Sequence, residues 1–318
     1  MLAVIIPVRN TADWAQTLRS VLTGHRIPDE CFVIDDGSEP ALQFPDDISY
    51  PETCRLVRIE PSGPAAARNC GVAQTQADIL VFVDADVTVS ATTLQELERR
   101  LNDSSSDVAA IQTLYSPLSV SSNFPTAFQN ALQRYNFLHS SDPENFLGLS
   151  SYCIAVRREA FLAVGGFDES VGRATIEDDT LGLNLVRAGW RIRLVPEIEV
   201  LHRANYCVSG LAKRMFRMAS DKVRSVRRQP WTGRIPVAKS HHRPAFLASS
   251  LVAALTLILA PIAPVWSLYL IVPLLGFHLP LLVHLIRENG LMFGVRSAAI
   301  MLVLSYAAAL GSIAGLWS

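Results

Sequence analysis

Short runs of buried-type residues, each closing on a polar cluster, recur through the first 115 residues and alternate with helical patterns. "LAVIIPV", "CFVIDDGS", "CRLVRIE", "DILVFVDAD" and "DVAAIQTLY" read as strands. Between them, "TADWAQTLRSVLTG" places Trp14, Leu18, Val21 and Leu22 at helical spacing, with Thr11 as N-cap and Gly24 as stop. "GPAAARNCGVAQTQ" and "SATTLQELERRLN" are further helices. This rhythm predicts an α/β fold with a mostly parallel sheet covered by helices. In such sheets ligands bind beyond the carboxyl ends of the strands. Those ends carry Pro7, Arg9 and Asn10, then Asp35 and Asp36, then Asp84 and Asp86.

Further along, "FPTAFQNALQRYNFLH" reads as an amphipathic helix and "SSYCIAVRR" as a strand. "REAFLAVGGFDE" and "EDDTLGLNLVRAGW" read as helices, and "RIRLVP" and "EIEVLH" as two short strands. No internal repeat interrupts this order.

The 318 residues are half hydrophobic, with mean hydropathy +0.26, and the apolar excess lies at one end. Residues 1–200 hold 15 Lys/Arg against 27 Asp/Glu, and residues 201–243 hold 11 Lys/Arg against one Asp. From Pro244 onward the only charges are Arg287, Glu288 and Arg296. An acidic globule (1–205), a basic collar (206–243) and an apolar region (244–318) therefore follow in order. Residues 207–228 put Val208, Leu211, Ala212, Met215, Ala219, Val223 and Val226 near one helical face, with Lys213, Arg214, Arg217, Arg224, Arg227 and Arg228 largely opposite. That pattern fits an anionic membrane interface; a helix packed on the domain gives the same pattern. The apolar region divides at "PIAP" into expected transmembrane helices at about 245–261, 265–286 and 294–317. The distribution of Lys/Arg puts the N-terminal domain on the cytoplasmic side of a multi-pass cell-membrane protein. "MLAVIIPV" meets Pro7 and Arg9 too soon to read as a signal peptide. His278 and His284 fall inside the second span and read as packed residues. The five cysteines form no CxxC pair, which gives no support to a zinc or redox motif. The collar lacks interleaved aromatics, which argues against a nucleic-acid partner. The oligomeric state is left open.

The chemistry concentrates at "FVDADV". Strand alternation reverses faces at each step, so Asp84 and Asp86 share a face. Two adjacent carboxylates repel unless a cation sits between them. Mg²⁺ or Mn²⁺ commonly binds one or two carboxylates together with substrate phosphates. "VIDDGS" supplies further acceptors at a strand end, and "ARNCG" puts Arg68 and Asn69 on the helix leading into the DxD strand. "IEDD" places Glu177 and Asp178 in a first helical turn, where the dipole stabilises a carboxylate.

"IIPVRN", "VIDDGS", "GPAAARNCGVAQ", "FVDADV", "VGGFDE" and "EDDTLGLNLVRAGWRI", in this order, resemble the inverting glycosyltransferases of family 2, with their A-type nucleotide-sugar-binding fold. The resemblance covers about residues 1–205. It implies that Pro7, Arg9 and Asn10 line a nucleotide pocket, and that Asp36, with Asp35, contacts uracil or ribose. Arg68 and Asn69, read from their place before the DxD strand as nucleotide-binding, put a cation where it could oppose phosphate or hold an Asp. Asp84 and Asp86 would form the metal and diphosphate motif, with Asp86 the direct ligand. His202 matches a position that in some A-type enzymes helps bind metal. Asp178, beside Glu177, would be the base that deprotonates the acceptor hydroxyl.

The implied activity is transfer of a single sugar from a nucleotide donor, expected to be a UDP-sugar, to a lipid or lipid-linked acceptor at the membrane. Residues 207–228 contain no Gln-x-x-Arg-Trp signature, which speaks against processive polymerisation. The Glu-Asp pair favours a hydroxyl acceptor over a polyprenyl phosphate, the alternative substrate. A non-catalytic membrane scaffold with a degenerate nucleotide-binding domain is the competing class, disfavoured by the intact carboxylates at 84, 86 and 178.

Overall fold

The computed structural model describes residues 1–45, 50–117, 123–139, 142–171, 175–228 and 242–317. The chain forms two compact units. The first comprises Met1–Val120 and Ser141–Ala204, the second Ser121–Ser140 and Asn205–Ser318.

In the first unit the elements run β1 (Leu2–Val8), α1 (Trp14–Leu22), β2 (Glu30–Asp36), β3 (Cys54–Ile59), α2 (Pro64–Ala73), β4 (Ile79–Val83), β5 (Val87–Thr88), α3 (Thr93–Asn102) and β6 (Val108–Tyr115). After α4 (Phe124–Leu138), which belongs to the second unit, come β7 (Cys153–Arg157), α5 (Arg158–Ala163), α6 (Glu177–Arg187) and β8 (Arg191–His202). The eight strands lie in the order β3-β2-β1-β4-β7-β6-β8-β5. β3, β2, β1 and β4 are parallel neighbours, β7 is antiparallel to both β4 and β6, and β8 is parallel to β6.

Every residue of β4 and β6 is buried, and nearly every residue of β1, β2 and β7. This explains why these strands read as unbroken apolar runs rather than alternating ones. The sheet reverses its direction of growth at β1, whose neighbours are β2 on one side and β4 on the other. That switch point opens a crevice at the carboxyl ends of the strands.

Two details depart from the sequence reading. "RIRLVP" and "EIEVLH" form one strand, β8, whose register against β6 jumps from Gln112↔Leu194 to Leu114↔Glu199. The extra residues on β8 surround Pro196, which has no N–H for the ladder. The expected Thr11 cap of α1 is replaced by Asp13, whose side chain makes no capping bond.

In the second unit α4 joins α7 (Val208–Arg228), α8 (His242–Leu259), α9 (Pro264–Tyr269), α10 (Ile271–Gly276), α11 (Leu279–Asn289) and α12 (Leu291–Trp317). Phe128, Leu132 and Tyr135 of α4, Leu211 of α7, Leu281 and Leu285 of α11, and Ile300, Met301 and Leu304 of α12 form one core. Leu211 is thus turned toward protein. His278 is buried with Nε2 3.4 Å from Ser305 Oγ, and His284 packs against Tyr135 and His139.

Three spans were expected; among the described residues one helix, α12, is long and apolar enough to cross a membrane. The segment read as the second span is broken, bending by 62° between Pro264–Gly276 and Leu279–Asn289. Pro273 lies within α10 before the break and Pro280 in the first turn of α11 after it, and the apolar part of α8, Ala245–Leu259, is short. A window of mean hydropathy does not register these breaks.

Candidate active site

The crevice at the switch point is lined by the loops that follow β1, β2 and β4. After β1, Arg9 reaches toward β2 with its guanidinium 3.6 Å from Asp36 Oδ2. Asn10 adopts a left-handed backbone, φ 49°, a conformation asparagine tolerates better than most residues. Its N–H donates to Ser38 Oγ and its side-chain oxygen accepts from Glu39 N–H, so the two loops are stitched together. Pro7 sits within β1 opposite Ile34.

Asp35 and Asp36 are both buried, and both are engaged within the protein. Asp35 accepts from the N–H groups of Ser38 and Leu42 and from Arg58. Burial works to raise its pKa, and these bonds outweigh it, so the carboxyl lies below the usual range. Asp36 accepts from Ser62 and Gly63 N–H just before α2 begins. The turn between them and Ser38 uses Gly37 at φ 68°, with Pro61 packed where a Cβ would stand. These carboxylates hold the loops, and Arg9 beside them is half-exposed.

β4 ends at Val83, and Asp84–Asp86 form a turn in which Val87 N–H donates to Asp84 C=O. The turn breaks the two-residue alternation, so the shared face expected of Asp84 and Asp86 does not follow from the strand. Each carboxylate instead has its own partner. Asp84 accepts from Arg68 at 2.7 Å. Asp86 Oδ2 lies 3.4 Å from His202 Nε2 and is one-third exposed. Burial works to raise the Asp86 pKa; His202 and the charge of Arg203 outweigh it and hold it low. His202 is fixed by pairing with Val87 across β5–β8 and by stacking on Tyr115 at 4.5 Å, which in turn stacks on Tyr152 at 4.0 Å.

Arg203 is the residue the sequence reading missed. It is buried, and its guanidinium donates to Gln16 Oε1, Asp13 C=O and Thr17 Oγ1. Thr17 Oγ in turn donates to Ala85 C=O, and Arg203 N–H donates to Asp86 C=O. The acidic turn is thus clamped from α1 and from the end of β8. Only its adjacency to His202 was visible in the sequence; the partners lie nearly two hundred residues away.

Arg68 ties the acidic turn to α6. It is 4% exposed, and its second terminal nitrogen lies 3.6 Å from Glu177 Oε1. Phe167 covers the guanidinium at 5.3 Å. Asn69, one residue on, is bonded to the turn that precedes α6. Its amide donates to Phe167 C=O and Glu169, and its oxygen accepts from Phe167 N–H, latching the "GGFDE" turn. The side chain of Asn69, expected at the nucleotide, is engaged in this latch.

Glu177 accepts from Thr175 N–H at 2.7 Å. Burial and then the neighbouring Asp178 push its pKa up to about 7, against the pull of Arg68. Asp178 Oδ2 accepts from Ser151 N–H at 3.0 Å, while Oδ1 is buried with no hydrogen-bond partner among the described residues. Burial raises its pKa too; Arg68 opposes the rise and Asp84 adds to it. A rigid, partly desolvated carboxylate with one vacant oxygen is suited to take a proton.

A divalent cation fits this donor set at Asp86 and His202. Two donors 3.4 Å apart can both reach an ion at the roughly 2.0–2.2 Å typical of oxygen and nitrogen ligands. Asp84, expected as a ligand, is paired through Oδ1 with Arg68. Among the described residues no three His, Cys, Asp or Glu side chains converge on a common point.

The sequence matches the description of glycosyl transferase family 2 over residues 3–165. The chain belongs to this family. Over 211 residues it is 33% identical to the pre-mycofactocin glycosyltransferase of Mycobacterium tuberculosis, a match covering 63% of this chain and 42% of that relative. The chain thus spans well under half of that relative's length. Over 54 residues, 17% of each chain, it is 52% identical to the N-acetylglucosaminyl-diphospho-decaprenol L-rhamnosyltransferase of the same species. The mannosyltransferase PcManGT of Pyrobaculum calidifontis, solved with GDP-Man and Mn2+, superposes with a TM-score of 0.59. That match covers 98% of this chain and 86% of the other, at 18% identity. The fold is that of the A-type glycosyltransferases, and the family 2 protein is a glycosyltransferase.

Proposed function

We propose that the protein transfers a single sugar, with inversion, from a nucleoside-diphosphate sugar to a hydroxyl of a lipid or lipid-linked acceptor. The observation that carries this reading is the Arg68 bridge, which brings the acidic turn after β4 and the Glu177–Asp178 pair to opposite sides of one guanidinium. Donor-binding and proton-accepting groups then flank a common space. Arg9 and the loops after β1 and β2 hold the nucleotide, with uridine the nucleoside tested first. Asp86 and His202 hold Mg²⁺ or Mn²⁺. The bound cation would neutralise charge on the departing diphosphate.

Asp178 Oδ1 accepts the acceptor hydroxyl's proton as the oxygen attacks the anomeric carbon and the bond to the diphosphate breaks. Ser151 keeps Oδ2 occupied, so the proton goes to Oδ1. Glu177 tunes this step through Arg68 and through its own charge beside Asp178. The named activity of the decaprenol-linked relative supports a lipid-linked acceptor, and the apolar second unit supports membrane association. The cytoplasmic placement follows from the charge pattern alone.

The test is a transfer assay with purified protein, a panel of nucleotide sugars and polyprenyl-diphosphate-linked acceptors, with and without Mn²⁺. Metal-dependent release of nucleoside diphosphate with formation of an inverted glycoside is expected. Release of nucleoside monophosphate, or of a sugar 1-phosphate, would replace glycosyl transfer with a different reaction.

A further inference from the structure

α12, the one unbroken helix among the described residues that is long and apolar enough to cross a membrane, is packed along its length against a basic helix. α7 runs alongside α12 in the same direction. Leu211 meets Ile300, Met301 and Leu304, and Arg227 donates to Leu316 C=O. Between these ends the backbones touch: a Cβ on Gly311 would stand 2.2 Å from Phe216 C=O, and one on Gly315 would stand 2.6 Å from Ser220 C=O. The shared stretch, Ile300 to Leu316, is about 24 Å long at 1.5 Å per residue, most of the roughly 30 Å of a hydrocarbon core.

Along that same stretch α7 exposes Lys213, Arg214, Arg217, Lys222 and Arg227. If α12 crossed a bilayer, these cations would be distributed through its depth. Only those near the ends could reach water by snorkelling. Ala245–Leu259 has 15 residues, short for a span, and the pair Pro264–Gly276 and Leu279–Asn289, apolar enough when taken together, bends by 62° at its break, as a segment that enters and leaves one leaflet does.

We infer that the second unit binds one leaflet of an anionic bilayer without crossing it. Leu251, Ile258, Ile262, Val265, Trp266 and Val272, on and between α8, α9 and α10, are each more than 60% exposed and enter the leaflet. Trp266 and Tyr269 are exposed neighbours of the kind found at headgroup depth. The α7 cations meet anionic headgroups. This is an interfacial mode of attachment, in which apolar burial and basic charge act together. It replaces the multi-pass arrangement read from hydropathy, and it rests on helix packing, not on the glycosyl-transfer reading.

The experiment is cysteine accessibility in the full chain, in sealed membrane vesicles of each orientation. Lys213→Cys, Lys222→Cys and Arg227→Cys, each combined with Cys207→Ser, are compared with the exposed native Cys207 using a membrane-impermeant maleimide. All four positions are expected to react from one and the same face at similar rates. Protection of the central positions, or reaction of Arg227→Cys from the opposite face, would show that α7 and α12 cross and would overturn the inference.

A second arm uses flotation with phosphatidylcholine vesicles, with and without phosphatidylglycerol. Binding is expected to strengthen with the anionic lipid and to fall by about tenfold or more in Lys213→Glu/Arg217→Glu. Indifference to both vesicle types, with a stable dimer in solution, would assign the apolar face to a second copy of the chain.

Discussion

Glu177 lowers the stability of the fold above neutral pH, and replacing it by glutamine should raise that stability. Its pKa stands at about 7 in the folded protein against 4.5 ordinarily. Between those values the folded chain keeps a proton that the unfolded chain has released. Stability therefore falls as pH rises across that window, and the loss is complete above pH 7. A difference of about 2.5 units, at roughly 1.4 kcal/mol each, corresponds to about 3 kcal/mol. Glu177→Gln keeps an oxygen for Thr175 N–H and removes the charge. At pH 8 the variant should be more stable by up to about 3 kcal/mol, a rise in melting temperature of about 6–12 °C for a domain of this size. At pH 5 most of the gain should vanish. Thermal unfolding of both proteins at the two pH values, followed by circular dichroism, measures it. An unchanged or lower melting temperature at pH 8, or a gain independent of pH, would refute the claim that Glu177 is held ionised at a cost.

Other expectations follow from the same contacts. Asp178→Asn should lower the transfer rate by about 10²–10⁴-fold while leaving donor affinity unchanged, read by steady-state kinetics and by calorimetric titration with UDP. Arg203→Met leaves Gln16, Thr17 and the Asp13 carbonyl without their donor and frees the acidic turn. It should cost about 2–4 kcal/mol in chemical denaturation and weaken Mn²⁺ binding, since the guanidinium that joins α1 to Ala85 C=O beside Asp86 is lost while the 203 N–H bond to Asp86 remains. Gly37→Ala meets both a left-handed backbone and Pro61, and should destabilise by about 2 kcal/mol or more in the same denaturation assay.

The sequence carried much of the fold because buried parallel strands and their covering helices are written locally. β1, β2, β3, β4 and β6 appear where apolar runs meet polar strand ends. The antiparallel insertion of β7 between β4 and β6 was not legible, since nothing within "CIAVR" specifies a neighbour. The candidate site was legible as residue types and less so as contacts. "DAD" was taken to follow strand alternation, yet the strand stops at Val83, and Asp84 and Asp86 go to Arg68 and His202. The carboxylates of "DDGS" and the amide of Asn69, expected at the ligand, also hold their own loops, a role their residue types did not announce, because backbone N–H groups near a sharp turn compete for any acceptor in reach. The basic helix α7 is the clearest case. A face of Leu211, Met215 and Val223 suits lipid and protein equally, and only the packing of α12 distinguishes them.

The central claim is that Asp86 and His202 hold a divalent cation together with the diphosphate of a nucleotide. Electron paramagnetic resonance of Mn²⁺, titrated against the protein with and without UDP, tests it directly. One bound ion per chain is expected only when the nucleotide is present, and its loss is expected in both Asp86→Asn and His202→Ala. Nucleotide binding that needs no Mn²⁺, or bound Mn²⁺ that survives both substitutions, would contradict it.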